Sequence, residues 1–165
     1  MDTCVRKETH MDATVLQEIV DIRAIEQLMI KYCDRIDAKD PEGAAACFTE
    51  DGVGNYWGVF RGRKEIAGRL GKILEFFSAT SHHVSNITVK LDGDQATAMS
   101  YVYAFHRVAD TGEPTHYWGR WVDRLARSES GWLFAQREVV GVGSLEPNDA
   151  GRDRAHPGHP GRLKR

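Results

Sequence analysis

SHHVSNITVKLDGDQATAMSYVYAFHR, residues Ser81–Arg107, decides the fold. β-Branched and aromatic residues crowd both halves, and Asp92-Gly93-Asp94 between them is a turn signal. The stretch therefore predicts two long strands, about His82–Leu91 and Ala96–Val108, closed as a hairpin. So short a connection implies antiparallel neighbours. Two further runs of the same character follow, Thr115–Ala126 and Trp132–Val142, set off by Asp110-Thr111-Gly112 and by Ser128–Gly131. Four such strands in succession make a meander.

Upstream the period changes. Ile22, Ile25, Met29, Tyr32 or Cys33, and Ile36 recur at three- and four-residue steps, which predicts one long amphipathic helix within Leu16–Lys39. Asp40-Pro41 supplies an N-cap and a first-turn proline for a short helix through Glu42–Phe48, with Thr49–Gly52 as its exit turn. Val53–Phe60 reads as a strand, and Ile66, Leu70, Ile73, Leu74 and Phe77 return to helical spacing over Gly62–Phe77. Helices first and strands after imply an α+β fold with the helices on one face of a curved sheet.

A chain of 165 residues suits one domain. We expect an N-terminal extension over 1–15, the α+β domain over 16–144, and a tail over 145–165 that Gly, Pro, Arg and Asp dominate and that is expected to be mobile. With 22 Lys+Arg against 24 Asp+Glu the net charge is -2, so no electrostatic footprint points to nucleic acid or an anionic membrane. The polar start has no secretory h-region and no apolar run is long enough to span a bilayer, which makes a cytoplasmic location the expectation. Cys4, Cys33 and Cys47 are widely spaced without a CxxC pair, and Cys33 and Cys47 read as buried small hydrophobes. His156-Pro157 and His159-Pro160 lack a carboxylate or cysteine framework and read as solvated, so no metal site is expected.

The residues that could carry chemistry gather at one end of this plan. Asp37 closes the first helix beside Ile36 of the core stripe, where the macrodipole and burial both oppose its charge, so it needs a cationic or hydrogen-bonding partner. A turn-making Asp is the alternative. His82 and His83 open the first long strand, and one of them must face the helices; His82 shares a face with Val84 and Asn86, His83 with Ser85, Ile87 and Val89, and a bulge would exchange the two. A hairpin about Asp92–Asp94 sets His106 close across from His82. Tyr32 lies five residues before Asp37 and can reach the same end of a pocket. On the third long strand His116, Trp118 and Arg120 share one face, where Arg120 would orient a carboxylate or an oxyanion, and Trp121 on the opposite face competes for the pocket wall.

No P-loop, GxGxxG, GxSxG or HExxH is present, so the chemistry must run on side chains alone. The order of elements, together with AIEQLMIKYCDRIDAKDPEGAAACFTEDG (24–52) and the hairpin quoted above, resembles the SnoaL-like branch of the nuclear-transport-factor-two-like superfamily over residues 16 to 144. That resemblance implies a cone-shaped, curved antiparallel sheet against a long N-terminal helix and two shorter ones, enclosing an interior pocket. Its dehydratase and dehydrochlorinase members carry an Asp and a His at the positions of Asp37 and His82. Scytalone dehydratase adds a histidine on or beside His106, and bile-acid dehydratase a tyrosine matched by Tyr32. The dehydrochlorinase has lysine where this chain has Tyr32, and an Asn of scytalone dehydratase falls near Trp121, so neither substrate carries over.

The resulting expectation is a cofactor-independent acid–base enzyme on a small, largely apolar cyclic or aromatic, polyketide-like substrate. A dehydratase is the first choice and a cyclase or ketosteroid-type isomerase the second. His82, His106, Asp37 and Tyr32 are the catalytic candidates; Arg120, Trp118, Trp121 and Asn86 are the substrate-binding ones. Trp118 and Trp121 would suit a flat ligand. The resemblance also admits a ligand-binding or assembly subunit, or a chain like the small subunit of ring-hydroxylating dioxygenases. The partners expected are a small-molecule substrate and further copies of the chain, as a homodimer or homotrimer.

Overall fold

In the computed structural model residues 12–145 are described. α1 runs Ala13–Asp37, α2 Pro41–Ala45, β1 Phe48–Asn55, β2 Val59–Arg61, α3 Gly62–Glu75, β3 Phe77–Asp92, β4 Gln95–Val108, β5 Pro114–Ser128 and β6 Gly131–Leu145. The six strands form one sheet in the order β2-β1-β6-β5-β4-β3. β3 to β6 are the expected antiparallel meander. The helices cover one face of the curved sheet, as an α+β cone requires, with α1 against β3 and β6.

α1 begins where Asp12 accepts from the Thr14 N–H at 2.9 Å, and its stripe of Asp21, Ile25, Leu28, Met29, Tyr32, Cys33 and Ile36 is buried. Two carboxylates fix that helix on the sheet. Asp21 accepts from Arg127 at 2.8 and 2.6 Å and from Trp132 Nε1 at 3.1 Å, while Asp37 at the other end is held by β3. Ile25, Met29, Phe48, Ile66 and Phe134 are wholly buried at the centre. Each such side chain contributes roughly 1.5–3 kcal/mol. Cys33 and Cys47 are free and buried within the same core, and burial pushes the Cys33 thiol up to about 12.

Four expectations are corrected at the level of elements. Thr49–Gly52 is not an exit turn: α2 ends at Ala45, the Phe134 N–H donates to the Cys47 carbonyl at 2.9 Å, and the chain is already in β1. β1 lies parallel to β6, so the sheet is mixed at that side of the meander. The strand expected over Val53–Phe60 is broken at Tyr56-Trp57-Gly58, a turn that folds β2 back antiparallel onto β1. β3 also starts at Phe77 rather than near His82, in polar sequence that pairs with the end of β4.

The flanks expected at 1–15 and 145–165, including Cys4, His156 and His159, lie outside the described residues except at their inner ends. Among the described residues no helix is long and apolar enough to cross a membrane.

Candidate active site

The C-terminal end of α1 meets the start of β3, and the meeting places Asp37 under His82. Asp37 Oδ1 accepts from Thr80 Oγ1 at 2.8 Å and from His82 Nδ1 at 2.7 Å; Oδ2 accepts from the His82 backbone N–H at 2.8 Å. Burial raises the Asp37 carboxyl, but the hydrogen bonds and charge of His82, with the Thr80 bond, outweigh it and hold the group below its ordinary value. An ionised carboxylate can only accept, so in the neutral imidazole the proton sits on Nδ1 and Nε2 carries the lone pair.

The choice between His82 and His83 turns on a bulge. The β3–β4 register shifts between Ser85 and Thr88, and Asn86 at the shift has φ 50°. Below it Ile87, Val89 and Leu91 are the covered residues of β3; above it the covered ones are Val84 and His82. Extrapolating from Ile87 and Val89 alone selects His83, and the bulge reverses that. His83 instead lies on the outer side, hydrogen-bonded to Ser81 Oγ at 3.1 Å and beside Tyr103.

His106 pairs with Thr80 in the ladder, which leaves its ring diagonal to His82 with centroids 5.3 Å apart. It stacks on Phe77 at 4.4 Å. Burial first, and then the charge of His82, push His106 down to about 4, so it is neutral near pH 7. On the far side of His82 the ring of Trp121 lies nearly parallel at 6.4 Å.

These groups line a cavity of about 210 Å³. Its polar edge holds His82, His106, Thr80, Thr115, Ser144, Tyr32 and Tyr56, and its apolar walls include Ile36, Leu70, Leu74, Phe77, Val102 and Val139. Tyr32 and Tyr56 share a 2.9 Å hydrogen bond between hydroxyls. Burial pushes the Tyr32 phenol up to about 12 against the opposing charge of Arg137, so the pair stays protonated and able to donate. Beneath Tyr32 and Trp121, Arg137 makes two 2.8 Å bonds to Asp123, and both side chains are fully buried. Its guanidinium lies 4.2 Å from the Trp121 centroid and 4.5 Å from that of Tyr32.

Asp37, His82, His106, Tyr32 and Trp121 are thus brought together, and three other candidates are not. Trp118 and Arg120 alternate on the outer face of β5, where Trp118 is 40% exposed beside Tyr103 and His116, and Arg120 lies over the ring of Tyr101. The inward parity of β5 is that of Thr115, Tyr117 and Trp121. Asn86 is exposed at the bulge, outside the cavity lining. Sequence reasoning missed Thr115 and Tyr117, although the parity of Trp121 points to both. It missed Tyr56 and Trp57 because the turn after β1 breaks the alternation that would have flagged them. Among the described residues no group of three or more His, Cys, Asp and Glu is placed to hold a metal ion.

Known proteins share this arrangement of elements. Residues 17–138 match the SnoaL-like domain. The chain is 31% identical over 126 residues to an uncharacterized protein of Mycobacterium tuberculosis, an alignment spanning 73% of this chain and 84% of that protein. A provisionally assigned scytalone dehydratase from Novosphingobium aromaticivorans superposes with a TM-score of 0.79 at 29% identity, covering 91% of this chain and 99% of that one. A hexachlorocyclohexane dehydrochlorinase, LinA type 2, gives a TM-score of 0.75 at 16% identity over 87% of this chain and 99% of its own, a likeness of fold alone.

Proposed function

The chain belongs to the SnoaL-like domain family, and from that premise we propose that it is a cofactor-independent acid–base enzyme, a dehydratase acting on a small, largely apolar cyclic substrate. The observation that carries this reading is the 2.7 Å contact between His82 Nδ1 and Asp37 Oδ1, with the imidazole on the wall of a mainly apolar cavity. The provisional dehydratase assignment of the Novosphingobium chain supports dehydration as the reaction.

The chemistry follows from which group holds a proton. A ring ketone in the cavity presents the C–H next to its carbonyl to Nε2 of His82, whose lone pair takes the proton. The C–H electron pair passes toward the carbonyl oxygen, where the hydroxyl of the Tyr32–Tyr56 pair that is not donating to its partner can hold the developing negative charge. Collapse of that enolate breaks the C–O bond one carbon further on. The departing oxygen takes the bonding pair and receives the proton back from the His82 imidazolium, so water leaves and His82 is again neutral. Asp37 stays charged throughout, orienting the ring and stabilising its cationic form. A neutral His106 is a poor acid but a good N–H donor to the leaving oxygen.

The test is turnover of cyclic β-hydroxyketones fused to an aromatic ring, followed as absorbance of the conjugated product. His82→Ala should lose at least about a hundredfold in kcat, the lower range of general acid–base help, with its circular dichroism unchanged. Wild-type rates in that variant would refute the reading.

A further inference from the structure

We propose that Trp57, working with Tyr117 at one edge of the cavity, selects a flat, uncharged ring as the ligand of this site. The proposal rests on the cavity being a substrate pocket and deepens that reading.

Tyr56 and Trp57 both line the cavity, although successive residues of an extended chain face opposite ways. The break in alternation is local. Trp57 has φ 56°, in the left-handed region that a bulky side chain rarely adopts. Conformations of this kind persist where the surroundings fix them, and they cluster at binding sites. The result is an indole that stays 46% exposed at the cavity rather than packing into the core, while its neighbour Tyr56 is buried against Tyr32.

Tyr117 completes the feature. Its ring stands edge-on to the indole, with centroids 6.1 Å apart and planes at 88°. It can lie along β5 because residue 119 is glycine: a Cβ there would stand 2.4 Å from the Tyr117 hydroxyl. Two aromatic surfaces at right angles suit a planar ring, which meets the face of one and the edge of the other. A puckered saturated ring of similar size makes neither contact well.

The absence of charge in the lining sets the second half of the specificity. Among the described residues no Lys, Arg or Glu lines the cavity. Arg120, the cation that could have greeted an anion, lies over Tyr101 on the outer face. Asp37 is already engaged by His82 and Thr80. Apart from the two imidazoles, no lining side chain could then compensate a charged ligand, which would be desolvated at a cost.

Calorimetric titration with 2-naphthol, decahydro-2-naphthol and 2-naphthoate tests this on the full chain. Wild type should bind 2-naphthol at least about fivefold tighter than either of the others, and Trp57→Ala should bring the two alcohols within about twofold. Wild type without the preference, or Trp57→Ala that keeps it, overturns the proposal. Trp57→Gly separates binding from folding, because glycine takes the left-handed conformation freely. Loss of the preference with a melting temperature within roughly 3 °C of wild type supports a binding role, whereas loss with a fall beyond roughly 8 °C assigns Trp57 to structure and overturns it. The titrations involve no proton transfer. His82→Ala that retains turnover therefore strikes the dehydratase reading alone, and Trp57→Ala that retains the ring preference strikes this one alone.

Discussion

Replacing Asp37 by Asn changes one atom and should reverse the polarity of the site. The carboxylate accepts from three donors: Thr80 Oγ1 and His82 Nδ1 on one oxygen, the His82 backbone N–H on the other. An amide has one oxygen. The backbone N–H can only donate, so it claims that oxygen, and the amide NH₂ turns toward the His82 ring. Nδ1 must then accept, the imidazole proton moves to Nε2, and the nitrogen left for the cavity has no lone pair. The opposite amide orientation strands the backbone N–H against another donor, at a cost of about 1–3 kcal/mol. The same logic operates in serine-protease triads, where Asp→Asn lowers kcat about ten-thousandfold through the wrong tautomer.

For this chain the expected loss in kcat is about a hundred- to ten-thousandfold. Giving up charge-assisted bonds at a partly covered site should cost about 1.5–3 kcal/mol as well, which lowers the melting temperature by roughly 3–12 °C. The stability term has a sign that acid titration reads. Because the folded carboxyl lies below its unfolded value of about 3.9, its contribution is present above that pH and disappears as pH falls through the folded value, a dependence the Asn variant should lack. Long-range proton–nitrogen NMR of the His82 ring reports the tautomer without any substrate. A variant whose His82 still carries its proton on Nδ1, with wild-type turnover, would refute the reasoning.

Two further predictions concern the surroundings of the dyad. The His106 ring should titrate near pH 4 by NMR, and a midpoint above 6 would mean that burial does not govern it. With an unfolded value near 6.5, the unfolded chain binds that proton first, so stability should fall as pH drops from about 6.5 toward 4, and His106→Phe should flatten that stretch of the curve. Asp123→Asn leaves the Arg137 cation buried and uncompensated, which should cost about 3–5 kcal/mol and lower the calorimetric midpoint by roughly 6–20 °C. Replacing the pair together, Asp123→Leu with Arg137→Met, should restore most of that loss, and a double variant no more stable than the single one would contradict this account of the pair.

The fold was legible because its signals are local and repeated. Ile25, Met29 and Ile36 mark the face of α1, and the turns at Gly93, Gly112 and Gly131 punctuate the meander; all three glycines have positive φ, which is why glycine stands there. Asp37 and His82 were legible as a pair because each needs the other: a carboxylate at a helix C-terminus on a core stripe must find a donor. The features that escaped depend on single residues breaking a regular pattern. The bulge at Asn86 exchanges the faces of β3 between one end and the other, and nothing in SHHVSNIT announces it. Trp57 turns into the cavity through one unusual φ. The burial of Arg137 was invisible for another reason. Arginine is ordinarily outside, and its place here depends on Asp123 across the β5–β6 ladder and on rings contributed by α1, β5 and β6.

The two histidines stand 5.3 Å apart in unlike surroundings. His82 has the Asp37 carboxylate at Nδ1, a 2.7 Å contact at the C-terminal end of α1. His106 is packed against Phe77 with its charged form penalised by burial, and any charge on His82 penalises it further. On the proposed reading, His106 is therefore a poor acceptor for a proton that His82 takes from substrate. Burial first, and then any charge on His82, keeps His106 neutral, which suits the proposed role of hydrogen-bond donor or acceptor to a leaving oxygen. The proposed acid–base roles thus rest on placement: one imidazole at a helix end over a carboxylate, the other against an aromatic ring, two residues apart on the diagonal of the β3–β4 ladder.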